Sequence, residues 1–239
     1  MGESLEWLKK QVEKVEFDER LLRLYVSEDK YILGAHLKNN SGPNYFSIST
    51  IYDSIVRTNM YIRLSFCYAA ECKPTENLSE HDMIGKPPAN ELMAIYYIEN
   101  MIFRIETLWD LLAQLCNEFW KTGKKAEKIY FERYFREQKN PFAKTICNYF
   151  DEAEDIKEDA EFWYGNYKFV KDYRNKMTHR NSPSITTLSN FDFDFRPPTM
   201  FVLKRAAEVY IKVAEFINSL LKEIQTHFSD GNFFNERKP

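Results

Sequence analysis

From about Ala89 to Lys121, the apolar residues Leu92, Ile95, Ile98, Ile102, Ile105, Trp109, Leu112 and Leu115 recur at spacings of three and four. That period predicts one long amphipathic helix, because residues so spaced share a face. Gly123 follows as a candidate C-cap. A second stripe, Val202, Ala206, Val209, Val213, Phe216, Leu220 and Ile224, predicts a helix to about Phe228, with Thr199 as its N-cap. A third, Ile51, Ile55, Ile62, Phe66 and Ala69, predicts a helix from Ser49 to about Cys72 despite its β-branched content.

The intervening segments read less sharply. Residues 3–26 suggest one or two short helices, and residues 30–37 a short extended piece. Residues 39–44 form a turn on composition, and residues 73–88, with three prolines and Gly85, a loop. Residues 124–138 read as a basic, aromatic helix, and Pro141 as the start of another running to Phe150. Residues 152–180 read as a long helix ended by Ser182-Pro183. In the loop 181–198, the alternation of Phe191, Phe193 and Phe195 suggests an extended segment. The fold class is all-α: an antiparallel helical bundle over residues 86–239, with an N-terminal helical extension, residues 1–85, packed on it.

Composition agrees. Seven Gly and nine Pro in 239 residues mean few turns, and 44% hydrophobic content supplies a core. No apolar run reaches membrane-spanning length, and no signal peptide or N-myristoylation pattern opens the chain, so a cytoplasmic protein is expected. Cys67, Cys72, Cys116 and Cys147 have no zinc-like spacing and read as reduced, mostly buried thiols. No metal or cofactor is expected: there is no phosphate-binding Gly loop and no His-Glu-x-x-His. His36, His81 and His227 read as structural or surface residues.

Charge is unevenly spread. Residues 121–139 carry seven basic and three acidic side chains, a net of +4. Residues 171–180 carry four basic and one acidic, a net of +3, while residues 151–161 carry seven acidic and one basic, a net of −6. Such a surface either steers a polyanion to one place or consists of ordinary solvated helix faces.

The candidate chemistry lies in Tyr173-Arg174-Asn175-Lys176-Met177-Thr178-His179-Arg180. Arg174 supplies a permanent cation whose donor fork suits phosphate. His179 supplies the side chain that titrates near neutrality. Asn175 and His179 are four apart and share a helix face, with Arg174 about 140° round the axis from His179. Lys171, Lys176 and Arg180 add cations for a phosphate backbone. Complementing the helix C-terminal dipole is the alternative role for Lys176, His179 and Arg180. On the long central helix, Glu106 and Asp110 share a face and either orient Arg174 or His179, or form a surface edge or an ion pair with Arg104.

The segment resembles the Arg-x(4–6)-His motif of the HEPN superfamily, with four residues between Arg174 and His179 and Asn directly after the Arg. The resemblance implies a HEPN-like bundle that dimerises and joins two motifs across a cleft. It implies a metal-independent endoribonuclease, with His179 as general acid or base, Arg174 on the scissile phosphate and Asn175 orienting His179 or contacting the phosphate. A setting in bacterial defence or toxin–antitoxin control follows, with RNA or nucleotide as ligand and an antitoxin or nucleotidyltransferase as partner. Asn181 stands where some HEPN toxins carry a modified Tyr, which argues against that form of control. The alternative is a non-catalytic HEPN-like dimer that binds nucleotide or protein.

Overall fold

The computed structural model describes residues 5–17, 25–27, 30–31, 45–75, 84–152, 165–179, 183–188 and 193–230. Among them are seven α-helices: α1 (Leu5–Glu13), α2 (Tyr45–Glu71), α3 (Ala89–Trp120), α4 (Phe131–Glu137), α5 (Pro141–Phe150), α6 (Asn166–His179) and α7 (Thr199–Asp230). Two small antiparallel ladders complete it: β1 (Tyr25–Ser27) with β2 (Lys30–Tyr31), and β3 (Thr187–Leu188) with β4 (Phe193–Asp194). The fold is an all-α helical bundle. No helix among the described residues is long and apolar enough to cross a membrane.

Helices α2 and α3 run antiparallel. Tyr68 meets Tyr97 with ring centroids 5.2 Å apart, and the Arg104 guanidinium lies 5.0 Å from the Tyr61 ring. Both stripes face a shared core with α7, whose seven sequence-predicted core positions are all buried. The Tyr210 hydroxyl of α7 donates to Asn59 of α2, an internal bond between otherwise apolar faces. Trp109, 1% exposed, is the aromatic hub, with Phe131, Tyr149, Phe150, Tyr167 and Phe216 around it. It therefore joins α3 to α4, α5, α6 and α7.

Several expectations need correction. Leu92 is 44% exposed, because this turn of α3 turns Glu91, Ala94 and Ile95 inward and leaves Leu92 on the outer side. The C-cap of α3 is Lys121, with φ 53°, rather than Gly123. Asn117 explains the early turn: its side chain accepts from the Thr122 hydroxyl and the Lys124 amide and donates to the Lys124 carbonyl. The single helix expected over residues 124–138 is split. A short 3-10 turn (Ala126–Lys128) gives way to extended backbone at Ile129 and Tyr130 before α4 begins.

Asn140 caps α5 by accepting from the Ala143 amide, one residue before Pro141. The helix carrying the motif begins at Asn166, after Gly165 with φ 74°, not at residue 152; residues 153–164 lie outside the described set. Thr199 starts α7, but its hydroxyl is buried without a hydrogen-bond partner and caps nothing. Near the N-terminus, only α1 is helical among described residues, and residues 25–27 form a strand. The turn expected at residues 39–44 lies outside the described residues. Of the cysteines only Cys116 is buried; Cys67 is exposed and the other two are intermediate. Burial pushes the Cys67, Cys116 and Cys147 thiols above their usual range, so none of these three is primed as a thiolate.

Candidate functional site

Helix α6 packs between α3 and α7. Tyr167, Val170 and Tyr173 face the core. Val170 is three residues after Tyr167 and Tyr173 three after that, so they mark the inner face, and Arg174 emerges at its edge. The Arg174 Nε lies 3.6 Å from the Glu106 carboxylate of α3. At that length the contact is an ion pair rather than a hydrogen bond, and Nε is buried with no hydrogen-bond partner. Nη1 donates to the Asn175 side-chain oxygen at 3.2 Å. The guanidinium is thus anchored from below by a carboxylate and from the side by the next residue.

Glu106 pairs with Arg174 rather than with Arg104, which lies over Tyr61. Asp110, one turn further along α3, accepts from the Phe131 backbone amide and also feels Arg174. Burial raises both carboxyls above their ordinary range, and Arg174 pulls them back towards it.

A third carboxylate, Glu132 of α4, has no counterpart in the sequence expectations. It receives the Lys171 ammonium, with contacts of 2.6 and 2.8 Å to its two oxygens, and the Tyr167 hydroxyl donates to it. Burial and this bond to a carboxylate push the Tyr167 hydroxyl far above its usual value, so it stays protonated. Only one sequence signal bears on Glu132: an acidic residue stands within a basic segment. The structure therefore gathers Arg174, Asn175, Lys171, Glu106 and Asp110 into one network and adds Glu132 and Tyr167.

The remaining expected residues are placed less fully. His179 is the last residue of α6, five after Arg174. Lys176 is half-buried on the same helix. Arg180 lies outside the described residues, as do His36 and His81. Among the described residues, no cluster of three or more His, Cys, Asp or Glu is arranged to hold a metal ion. A separate cleft of about 1010 Å³, between the segment after α1 (Val15, Glu16 and Phe17), α2 and α7, contains none of these residues.

The family model described as HEPN_Cthe2314-like HEPN matches residues 47–229. The chain belongs to this HEPN family. The match starts inside α2 and ends one residue short of the end of α7, so it takes in the α2–α3 pair as well as α6. Its Arg174-Asn175 pair lies on α6, and His179 closes that helix. No curated protein and no solved structure matches the chain.

Proposed function

We propose that this HEPN protein is a metal-independent endoribonuclease whose reacting groups are Arg174 and His179, with Asn175 beside them. The observation that carries the reading is the anchoring of Arg174. A guanidinium held by Glu106 and Asn175 keeps one orientation, and a fixed cation stabilises charge on a phosphorane without reorganising during the reaction. In the proposed step, the RNA 2′-oxygen attacks the adjacent phosphorus as its proton leaves. The bond from phosphorus to the 5′-oxygen breaks, and that oxygen takes up a proton. His179 takes the first proton or supplies the second. The products are a 2′,3′-cyclic phosphate and a 5′-hydroxyl.

Lys171, Lys176 and Arg180 contribute to holding the backbone, and a homodimer brings two motifs to one cleft. Cytoplasmic defence or toxin–antitoxin control, with an antitoxin or a nucleotidyltransferase as partner, is the setting this reading implies. The reading calls for no metal: Arg174 meets the charge on the phosphorane, and Glu106, Asp110 and Glu132 are engaged with Arg174, the Phe131 amide and Lys171. The test is cleavage of end-labelled single-stranded RNA in EDTA, with analysis of the product ends. Cyclic phosphate ends in EDTA support the reading. Cleavage that vanishes in EDTA and returns with Mg²⁺ or Mn²⁺ contradicts it.

One observation favours a second reading, a non-catalytic binder of nucleotide or protein. Arg174 and Lys171 are both already neutralised within the fold. Under that reading the ion pairs hold α3, α4 and α6 together, and RNA or nucleotide binds without being cut.

A further inference from the structure

A basic cleft of about 500 Å³ lies on the other side of α4 from the Arg174 network. Its lining includes four cations, Lys124, Lys125, Lys128 and Arg133, against one carboxylate, Glu137. Glu137 bonds Lys124 and Arg133. The ammonium groups of Lys125 and Lys128 have no carboxylate partner among the described residues, and both side chains are exposed. Glu127 sits on the same 3-10 turn but does not line the cleft. Tyr130 lines it with 69% of its surface exposed, between buried Ile129 and Phe131.

The backbone explains this display. Ile129 and Tyr130 are extended, so successive side chains point to opposite sides: Ile129 turns into the core and Tyr130 away from it. Helix α4 then serves two surfaces. Glu132 reaches Lys171 and Tyr167 on α6, while the next residue, Arg133, faces the cleft. The two sites are therefore separated by the thickness of one short helix.

We propose that this cleft is a docking site for single-stranded RNA, with Lys125, Lys128 and Arg133 against phosphates and Tyr130 as a platform for one base. This rests on the ribonuclease reading for its choice of RNA, and it extends that site along the strand. Cations spaced along a groove track a backbone, and an exposed ring stacks on any base. An acidic protein segment would use the cations but leaves Tyr130 without a role, so RNA is the better fit.

The test separates binding from cleavage. A fluorescein-labelled 2′-O-methyl oligouridylate lacks the free 2′-hydroxyl that cleavage needs, and its binding to the full chain is followed by anisotropy across salt concentrations. Lys125→Gln with Lys128→Gln is expected to weaken binding and reduce the slope of log affinity against log salt by about 1.4, two contacts at roughly 0.7 each. Tyr130→Ala is expected to weaken binding about 5- to 150-fold with the slope unchanged. All three positions are exposed, and circular dichroism verifies that the variants fold. Absence of binding by the unaltered protein overturns the proposal, as do variants that bind like it. Equal binding of polyglutamate, with the same loss on Tyr130→Ala, overturns the assignment to RNA. If these variants behave as expected but no unmodified RNA is ever cut, the docking site stands and the ribonuclease reading fails.

Discussion

Glu106 is pulled two ways. Burial favours its neutral form, as do the nearby charges of Asp110 and Glu132, while Arg174 and Lys171 favour the anion. The first set wins, and Asp110 is raised too, again by burial first. Both carboxyls therefore bind protons more tightly in the folded chain than in the unfolded one. Their stabilising contribution is full below the ordinary values of 4.5 and 3.8 and is lost as pH rises through the raised native values. Relative to the variant Glu106→Gln with Asp110→Asn, the unaltered protein should lose stability as pH rises across the mildly acidic range, measured by urea unfolding at stepped pH. Parallel curves for the two proteins would show that the carboxyls are not shifted. Glu106→Gln alone should also slow RNA cleavage in single-turnover assays, because Arg174 loses the charge that fixes it. An unchanged rate would remove Glu106 from the site.

Among the elements, α3 carries the most. Trp109→Ala removes a ring packed against four other helices and should cost about 3–5 kcal/mol in denaturant unfolding. A loss below about 1 kcal/mol would mean that the hub is not tightly packed. Helices α3 and α7 were legible in the sequence because each keeps a long apolar stripe against a single core. The end of α3 at Lys121 rather than Gly123 was not legible. Its cause, Asn117 holding Thr122 and Lys124, is a tertiary arrangement of polar groups with no periodic signal. The Arg174–Asn175–His179 set was visible because it is local to one helix. Its partners were half visible: Glu106 and Asp110 interrupt an apolar stripe, whereas Glu132 reaches Lys171 across 39 residues of chain that spacing alone does not bridge.

For the whole molecule, the outer face of α2 and α3 exposes Tyr61, Leu64, Tyr68, Met93, Tyr96 and Phe103. Phe103 lies one turn from Glu106 on the same helix, so an apolar contact here runs towards the motif. If the proposed homodimer uses this face, Tyr96→Glu with Phe103→Glu should convert a dimer to a monomer by light scattering at micromolar concentration. A monomeric unaltered protein would remove the two-motif cleft from the account.

The most direct measurement of the central claim is the single-turnover rate of RNA cleavage by purified His179→Ala protein, in EDTA, beside the unaltered protein. Loss of an acid–base group should slow cleavage by about 10²- to 10⁴-fold, with 2′-O-methyl RNA binding and the thermal unfolding midpoint little changed. Equal rates for the two proteins, or no cleavage by either while both bind RNA alike, would contradict the ribonuclease reading and leave this HEPN protein as a binding module.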